Sequence, residues 1–199
     1  IAGIAEMPDA DTAQTVARAD LEQTRVYLSL QQPEPIQAVQ AYMKAVGDNA
    51  QAADSIHGVI GCRLFRRLCQ NCRIAHKPTA EMLKKLGLPD NVQTLYRTEG
   101  KVMVKDQPQT CPVCNGTGYV GQIAAFAIHP VTEEERALLR EGDFQSARGA
   151  WRQAKQPSIQ SSALQLVIRG ETTVDEVLRV MQAKQQAQKT TKTKEAEPA

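Results

Sequence analysis

Cys69-Gln70-Asn71-Cys72 and Cys111-Pro112-Val113-Cys114 repeat one C-x2-C spacing across a gap of 38 residues. Such a knuckle turns two thiolates toward one point, so a pair of knuckles supplies four sulfurs to a tetrahedral structural Zn²⁺. Arg66, Arg67, Arg73 and Lys77 flank the first pair and would favour thiolate over thiol. Asn115-Gly116-Thr117-Gly118 follows the second, and its glycines let backbone amides approach sulfur. Four independently buried thiols would not fall into two pairs of equal spacing, and a disulfide framework belongs to short, cysteine-dense secreted chains. Cys69, Cys72, Cys111 and Cys114 are therefore the expected metal ligands. His76 is not needed once four thiolates complete the shell. Cys62 is left over and reads as a packed thiol on the apolar face of a helix, while His57 and His129 read as ordinary surface or half-buried residues.

Positioning those sulfurs takes a folded body, and 199 residues suffice for one domain with a good core or two small ones. Aromatic residues make up 4% of the chain, so the core must be mostly aliphatic. The formal net charge of +2 is carried by residues 184–199, where Lys184, Lys189, Lys192 and Lys194 outnumber Glu195 and Glu197. That leaves the body neutral, without the electrostatic footprint of a nucleic-acid partner. The longest uninterrupted apolar run, Ile123 to Ile128, falls far short of the roughly 20 residues that cross a bilayer. No N-terminal targeting pattern is present, and a soluble, intracellular-type chain is expected. It opens at Ile1 inside what reads as a strand, as the C-terminal piece of a longer protein would.

Ile1-Ala2-Gly3-Ile4-Ala5 is a continuous apolar run ending at Glu6. It predicts a buried strand of parallel type with a carboxylate at its C-terminal end, where open α/β sheets place ligand chemistry. Asp9 and Asp11 are N-cap candidates for a helix to about Glu22, and Arg25 to Leu30 predicts a second strand. Ile36, Val39, Met43 and Val46 make one face of a helix closed by Gly47. Strand, helix, strand, helix is the pattern of a βαβ unit and a parallel sheet. With Asp54 as N-cap, Ile56, Val59, Ile60, Leu64 and Leu68 then predict a helix running into the first knuckle. A short helix from Thr79 to Gly87 and a strand from Lys101 to Lys105 fill the gap between knuckles, and Gln122 to His129 predicts a strand after the second. Thr132 with Glu135, and Thr173 with Glu176, are capping boxes ahead of helices. Two further helices are predicted at about Phe144 to Ala154 and from Ser158 to a stop at Gly170. Past Met181 the Gln/Lys/Thr/Glu-rich tail is expected to be disordered.

Four stretches together resemble the C-terminal part of the cytoplasmic assembly ATPases of type II secretion and type IV pilus systems. Gly58-Val-Ile-Gly-Cys-Arg-Leu-Phe-Arg-Arg-Leu-Cys69 is similar to the helix that leads into that family's zinc subdomain. Cys111-Pro-Val-Cys-Asn-Gly-Thr-Gly-Tyr-Val-Gly121 resembles its second knuckle, and Gly170-Glu-Thr-Thr-Val-Asp-Glu-Val-Leu-Arg-Val180 its C-terminal helix. Ala5 to Ala13 resembles the end of its Walker B strand. The resemblance implies an α/β fold: the C-terminal part of a RecA-like P-loop domain over 1–66, a tetracysteine zinc subdomain over 67–129, a helical subdomain over 130–183 and the tail from 184. It implies a hexameric motor whose ATP hydrolysis acts on an inner-membrane platform protein to assemble pilins or pseudopilins, the chain being cytoplasmic and peripheral to that membrane. Glu6 falls at the Walker B glutamate, beside Mg²⁺ and the attacking water in a complete enzyme.

The departures bear on catalysis. No G-x-x-x-x-G-K-[ST] loop occurs in these residues, so the chain alone is expected not to bind ATP tightly or hydrolyse it. Pro8 and Gln122 stand where the family has basic residues, and Gln31 to Pro35 replaces a histidine-bearing segment. A catalytically degenerate paralogue, kept as an assembly or interaction module, is therefore the alternative. A third reading, the C-x-x-C-x-G-x-G knuckle of Hsp40-type chaperones at Cys111 to Gly118, is disfavoured because Cys69 to Cys72 lacks the glycines and that fold needs several such repeats.

Overall fold

A computed structural model describes residues 1–20, 23–32, 34–154 and 156–182, so the lysine-rich tail and its expected disorder lie outside the described residues. In chain order the elements are β1 (Ala2–Ile4), α1 (Ala10–Ala17), β2 (Val26–Leu28), α2 (Pro35–Val46), α3 (Asn49–Ser55), β3 (Gly58–Leu68), β4 (Ile74–His76), α4 (Ala80–Leu86), β5 (Leu95–Arg97), β6 (Lys101–Val104), β7 (Gln107–Thr110), β8 (Tyr119–Pro130), α5 (Glu133–Arg140), α6 (Phe144–Gln153) and α7 (Ile159–Ile168). Residues 174–182 are also helical. The fold is mixed α/β and divides into two units, Ile1–Gly61 with Ala127–Gln156, and Cys62–Phe126 with the residues from Pro157.

In the first unit β1 and β2 pair in parallel, Ala2 opposite Val26 and Ile4 opposite Leu28. The parallel pair agrees with the expected βαβ unit, but β1 is not buried: Ala2 and Gly3 are exposed and Ile4 only partly covered. Burial of a parallel strand needs cover on both faces, and among the described residues this sheet has two strands. Asp9 caps α1 by accepting from the Thr12 amide at 2.8 Å, as the sequence predicts, yet the helix stops at Ala17 with Arg18 as C-cap rather than reaching Glu22. Pro35 opens α2, whose buried face is Ile36, Val39, Tyr42, Met43 and Val46, and Gly47 closes it with its amide on the Met43 carbonyl. Asp48, not Asp54, caps the next helix, α3, accepting from the Gln51 amide at 3.0 Å. Behind Thr132 the capping box closes in both directions, and Val131, Leu139 and Ala147 complete an aliphatic core with α1, α2 and α3.

The largest correction concerns Gly58 to Leu68, which is the strand β3, paired with β8. Its apolar residues sit at helical spacing because both faces carry them: Ile60 and Leu64 are exposed, Val59 half-buried and Phe65 fully buried. Gly58 and Gly61 weaken a helix, and Val59, Ile60 and Phe65 favour a strand once a partner exists. Cys62 is accordingly exposed on β3, not packed on a helix. In the second unit β4 pairs antiparallel with β5, and β6 with β7 through a two-residue turn. Lys105 and Asp106 both adopt positive φ, 50° and 61°, the geometry that an Asn-Gly turn would have advertised. Phe65, Leu83, Leu88, Leu95, Leu166 and Val177 form this unit's core.

Glu176, in the helix at 174–182, is buried beneath two arginines. Thr173 caps its amide at 3.2 Å, but the carboxylate accepts from the backbone and guanidinium of Arg66, at 3.0 and 2.6 Å, and from Arg179 at 2.7 Å. Burial would raise this carboxyl, but the hydrogen bonds from Arg179 and Arg66 outweigh it and hold the group down at about 2. The folded value lies below the ordinary 4.5, so the stability it adds is complete above pH 4.5 and is lost as pH falls toward 2. Glu176→Gln is expected to cost about 2 to 3 kcal/mol at neutral pH. Denaturant titrations should show the gap to wild type closing between pH 4.5 and 2, and a gap that stays constant over that range contradicts the account.

Candidate metal centre

β3 delivers the chain to the first knuckle, and β4 leaves it; β7 ends at the second, and β8 follows. One backbone bond joins the first knuckle to the turn after the second, and another anchors the second to the chain ahead of it. The Cys69 amide donates to the Gly118 carbonyl at 2.9 Å, and the Cys111 amide donates to the Gly100 carbonyl at 2.9 Å. Within the knuckles, Arg73 N donates to Cys69 O at 3.1 Å and Thr117 N to Cys114 O at 3.1 Å, closing each turn.

These bonds bring the four Sγ atoms within 4.8 Å of one another, with no cysteine of the four more than 5% exposed. Across the knuckles, Cys69 lies 3.9 Å from Cys111 and Cys72 lies 3.6 Å from Cys114. A tetrahedron with Zn–S bonds of about 2.3 Å has sulfur–sulfur edges of about 3.8 Å, so the donor set fits Zn²⁺ in type, number and spacing. All five cysteines are free of disulfides. Asn71 Nδ2 donates to Cys111 Sγ at 3.4 Å, and the Gly118 amide approaches Cys114 Sγ at 3.3 Å. Burial pushes the Cys72 thiol up to about 12, whereas the hydrogen bond from Asn71 draws Cys111 down to about 6.

Arg66, Arg67 and Arg73, expected from the sequence to favour the thiolates, are engaged elsewhere: Arg66 with Glu176, Arg67 with Glu171 and Arg73 with the Gly170 carbonyl. The sulfurs rely instead on short-range amide donors. Asn71 was legible in principle, since a side-chain amide inside a knuckle reaches sulfur easily; Gly100, eleven positions ahead of Cys111, carries no such signal. His76 stands outside the sulfur cluster, and His129 is buried against Glu135 at 2.9 Å and Trp151 rather than at the surface.

Glu6 lies in the first unit, exposed, just past the end of β1. Its backbone is bracketed by Ser29, whose amide donates to Ile4 O at 3.0 Å and whose carbonyl accepts from the Met7 amide at 3.2 Å.

The sequence profile of the family described as type II/IV secretion system protein matches residues 4–179, taking in the end of β1, both knuckles and the start of the helix at 174–182. The chain belongs to this family. Among its relatives are the type II secretion system protein HxcR of Pseudomonas aeruginosa, 29% identical over 178 residues, and the type IV pilus assembly ATPase PilB of Thermus thermophilus, 27% identical over 179. The type II secretion system ATPase E of Vibrio cholerae is 27% identical over 178 residues. These alignments cover 88 to 89% of this chain but 32%, 19% and 33% of the three relatives, so the chain spans a third or less of their length. Among the described residues no helix is long and apolar enough to cross a membrane.

The second knuckle of this secretion-family chain owes its shape to backbone that ordinary residues avoid. Gly118 has φ of 75°, and a Cβ there would lie 2.6 Å from the Thr98 side chain; Gly121 has φ of 69° but open space around it. Gly121→Ala is expected to cost about 1 kcal/mol in backbone strain alone, and Gly118→Ala about 2 to 4 kcal/mol because overpacking adds to it. Thermal denaturation of the two variants checks the ranking; equal losses would mean that the approach of Thr98 does not constrain the knuckle.

Proposed function

We propose that this chain is the C-terminal portion of a cytoplasmic, hexameric, RecA-like motor ATPase that drives pilin or pseudopilin assembly, and that Cys69, Cys72, Cys111 and Cys114 hold one structural Zn²⁺ within it. The observation that carries the reading is the family match over 4–179, which spans a buried four-sulfur cluster of tetrahedral dimensions. Two of the relatives above bear the name ATPase, one of them in pilus assembly, and that supports the motor activity for the parent protein.

A metal bound by four thiolates has no open position, so it would supply a covalent-strength tie rather than catalysis. The chain's own residues do the rest at that site. Asn71 and the Gly118 amide supply hydrogen bonds to sulfur charge, and Gly100 and Gly118 hold the cysteines by their amides. At the other site Glu6, at the C-terminal end of β1, is the proposed Walker B carboxylate of the complete enzyme, with ATP and Mg²⁺ held chiefly by residues outside this chain. The proposed partner is an inner-membrane platform protein, reached from the cytoplasmic face.

Elemental analysis should find one zinc per chain. Metal-free protein whose four thiols all resist alkylation would count against the ligand assignment. For the motor, the 199 residues alone should not hydrolyse ATP, and the parent protein should, losing turnover on Glu6→Gln. A parent without turnover would favour the degenerate assembly module that Pro8 and Gln122 suggest.

A further inference from the structure

The two residues inside the first knuckle face different ways. Asn71 turns to Cys111 Sγ, while Gln70 Nε2 donates to the Gly170 carbonyl at 3.2 Å. Arg73, one residue past Cys72, donates to the same carbonyl at 2.8 Å and stacks on Tyr96 at 4.1 Å. Leading into the knuckle, the Leu68 amide donates to Glu171 O at 2.8 Å, and Arg66 O accepts from the Thr172 hydroxyl at 2.9 Å. Arg66 also reaches the buried Glu176, and its guanidinium covers the Tyr119 ring at 4.1 Å; the Tyr119 hydroxyl meets Thr173 at 2.8 Å. Segment 66–73 is thus bonded on alternating sides to two things, the sulfur cluster and the turn that starts the helix at 174–182.

We infer that metal loading of the four-cysteine centre and the seating of residues 170–182 are one linked equilibrium, with Gln70, Arg73 and Arg66 as the positioning residues that join them. This rests on the zinc reading above. The physical reason is that the carbonyl of Gly170 and the carboxylate of Glu176 bind a knuckle in one shape, the shape in which Cys69 and Cys72 point to the centre. A metal that holds that shape removes the ordering cost from the helix, and a seated helix removes it from the metal site. Linkage makes the effect reciprocal. The metal centre then serves as a latch whose state is read by the C-terminal helix, and the parent motor carries an element whose order depends on metal supply.

The test uses the zinc-loaded chain in competition with a chromogenic chelator at pH 7. Glu176→Gln, and separately Gln70→Ala at an exposed position, should each weaken zinc retention about fivefold or more. Val39→Ala opens a cavity in the separate core of the first unit and serves as the control for general destabilisation. In the same chain, chelation should raise hydrogen exchange at 170–182 while α2 and α3 keep their protection. Zinc held equally by wild type and both clamp variants, or a loss in Val39→Ala as large as theirs, would overturn the linkage while leaving the ligands in place. Failure of the wild-type chain to hold zinc at all would remove the ligand reading itself, and the inference with it.

Discussion

Four sulfurs confined within 4.8 Å of one another and shut off from water are the constraint on which the second unit depends. As thiolates they would repel; as thiols they would offer a buried cluster little beyond weak S–H contacts. A dication at their centre would convert that cost into attraction, and the surroundings permit the sulfurs to approach. The Gly118 and Gly100 carbonyls take the cysteine amides, the Gly118 amide and Asn71 take sulfur charge, and Val102 is the partly buried apolar residue packed against the group. With so little other apolar contact, the position of the knuckles is decided by bonds to backbone and, on the proposed zinc reading, by the metal.

The two T-x-x-E boxes show how one local motif is put to different uses by what surrounds it. Thr132 and Glu135 close on each other, Glu135 Oε2 accepting from the Thr132 amide at 2.8 Å, and the second oxygen is left for His129. Thr173 caps the Glu176 amide in the same manner, but both oxygens of Glu176 are taken by Arg66 and Arg179. A carboxylate without an arginine beside it turns back to its own N-cap. Where a guanidinium is available, the charge-assisted bidentate bond is the stronger choice. The result is that a residue predicted for a helix end joins two segments 110 positions apart.

Much of the first unit and of the cysteine cluster was legible in the chain. Asp9, Thr79, Thr132 and Ser158 cap the helices assigned to them, and Gly47 and Gly87 close theirs, because each cap is made within three or four residues. The apolar face of α2 and the parallel pairing of β1 with β2 follow from runs that no alternative period fits as well. The converging cysteines were legible for a different reason, since a repeated spacing of thiols is a chemical signal that does not depend on which elements carry it.

Features settled over a few residues or by side-chain chemistry alone could be read directly from the chain: caps, helix stops, the thiol pairs and the neutral charge of the body. Tertiary structure decided the rest. Gly58 to Leu68 satisfies a helical and an extended pattern about equally, and only pairing with β8, some sixty residues later, settles it as a strand. The β7 strand and its Lys105-Asp106 turn carry no glycine to announce them, and antiparallel pairing with β6 imposes the positive φ that those residues would not choose alone. The arginines beside Cys69 read as thiolate partners because sequence distance puts them there; Glu171, Glu176 and the Gly170 carbonyl claim them because folding brings stronger acceptors closer than sulfur. Local preferences are worth tenths of a kcal/mol to about one kcal/mol each, and a buried carboxylate or a strand partner exceeds them.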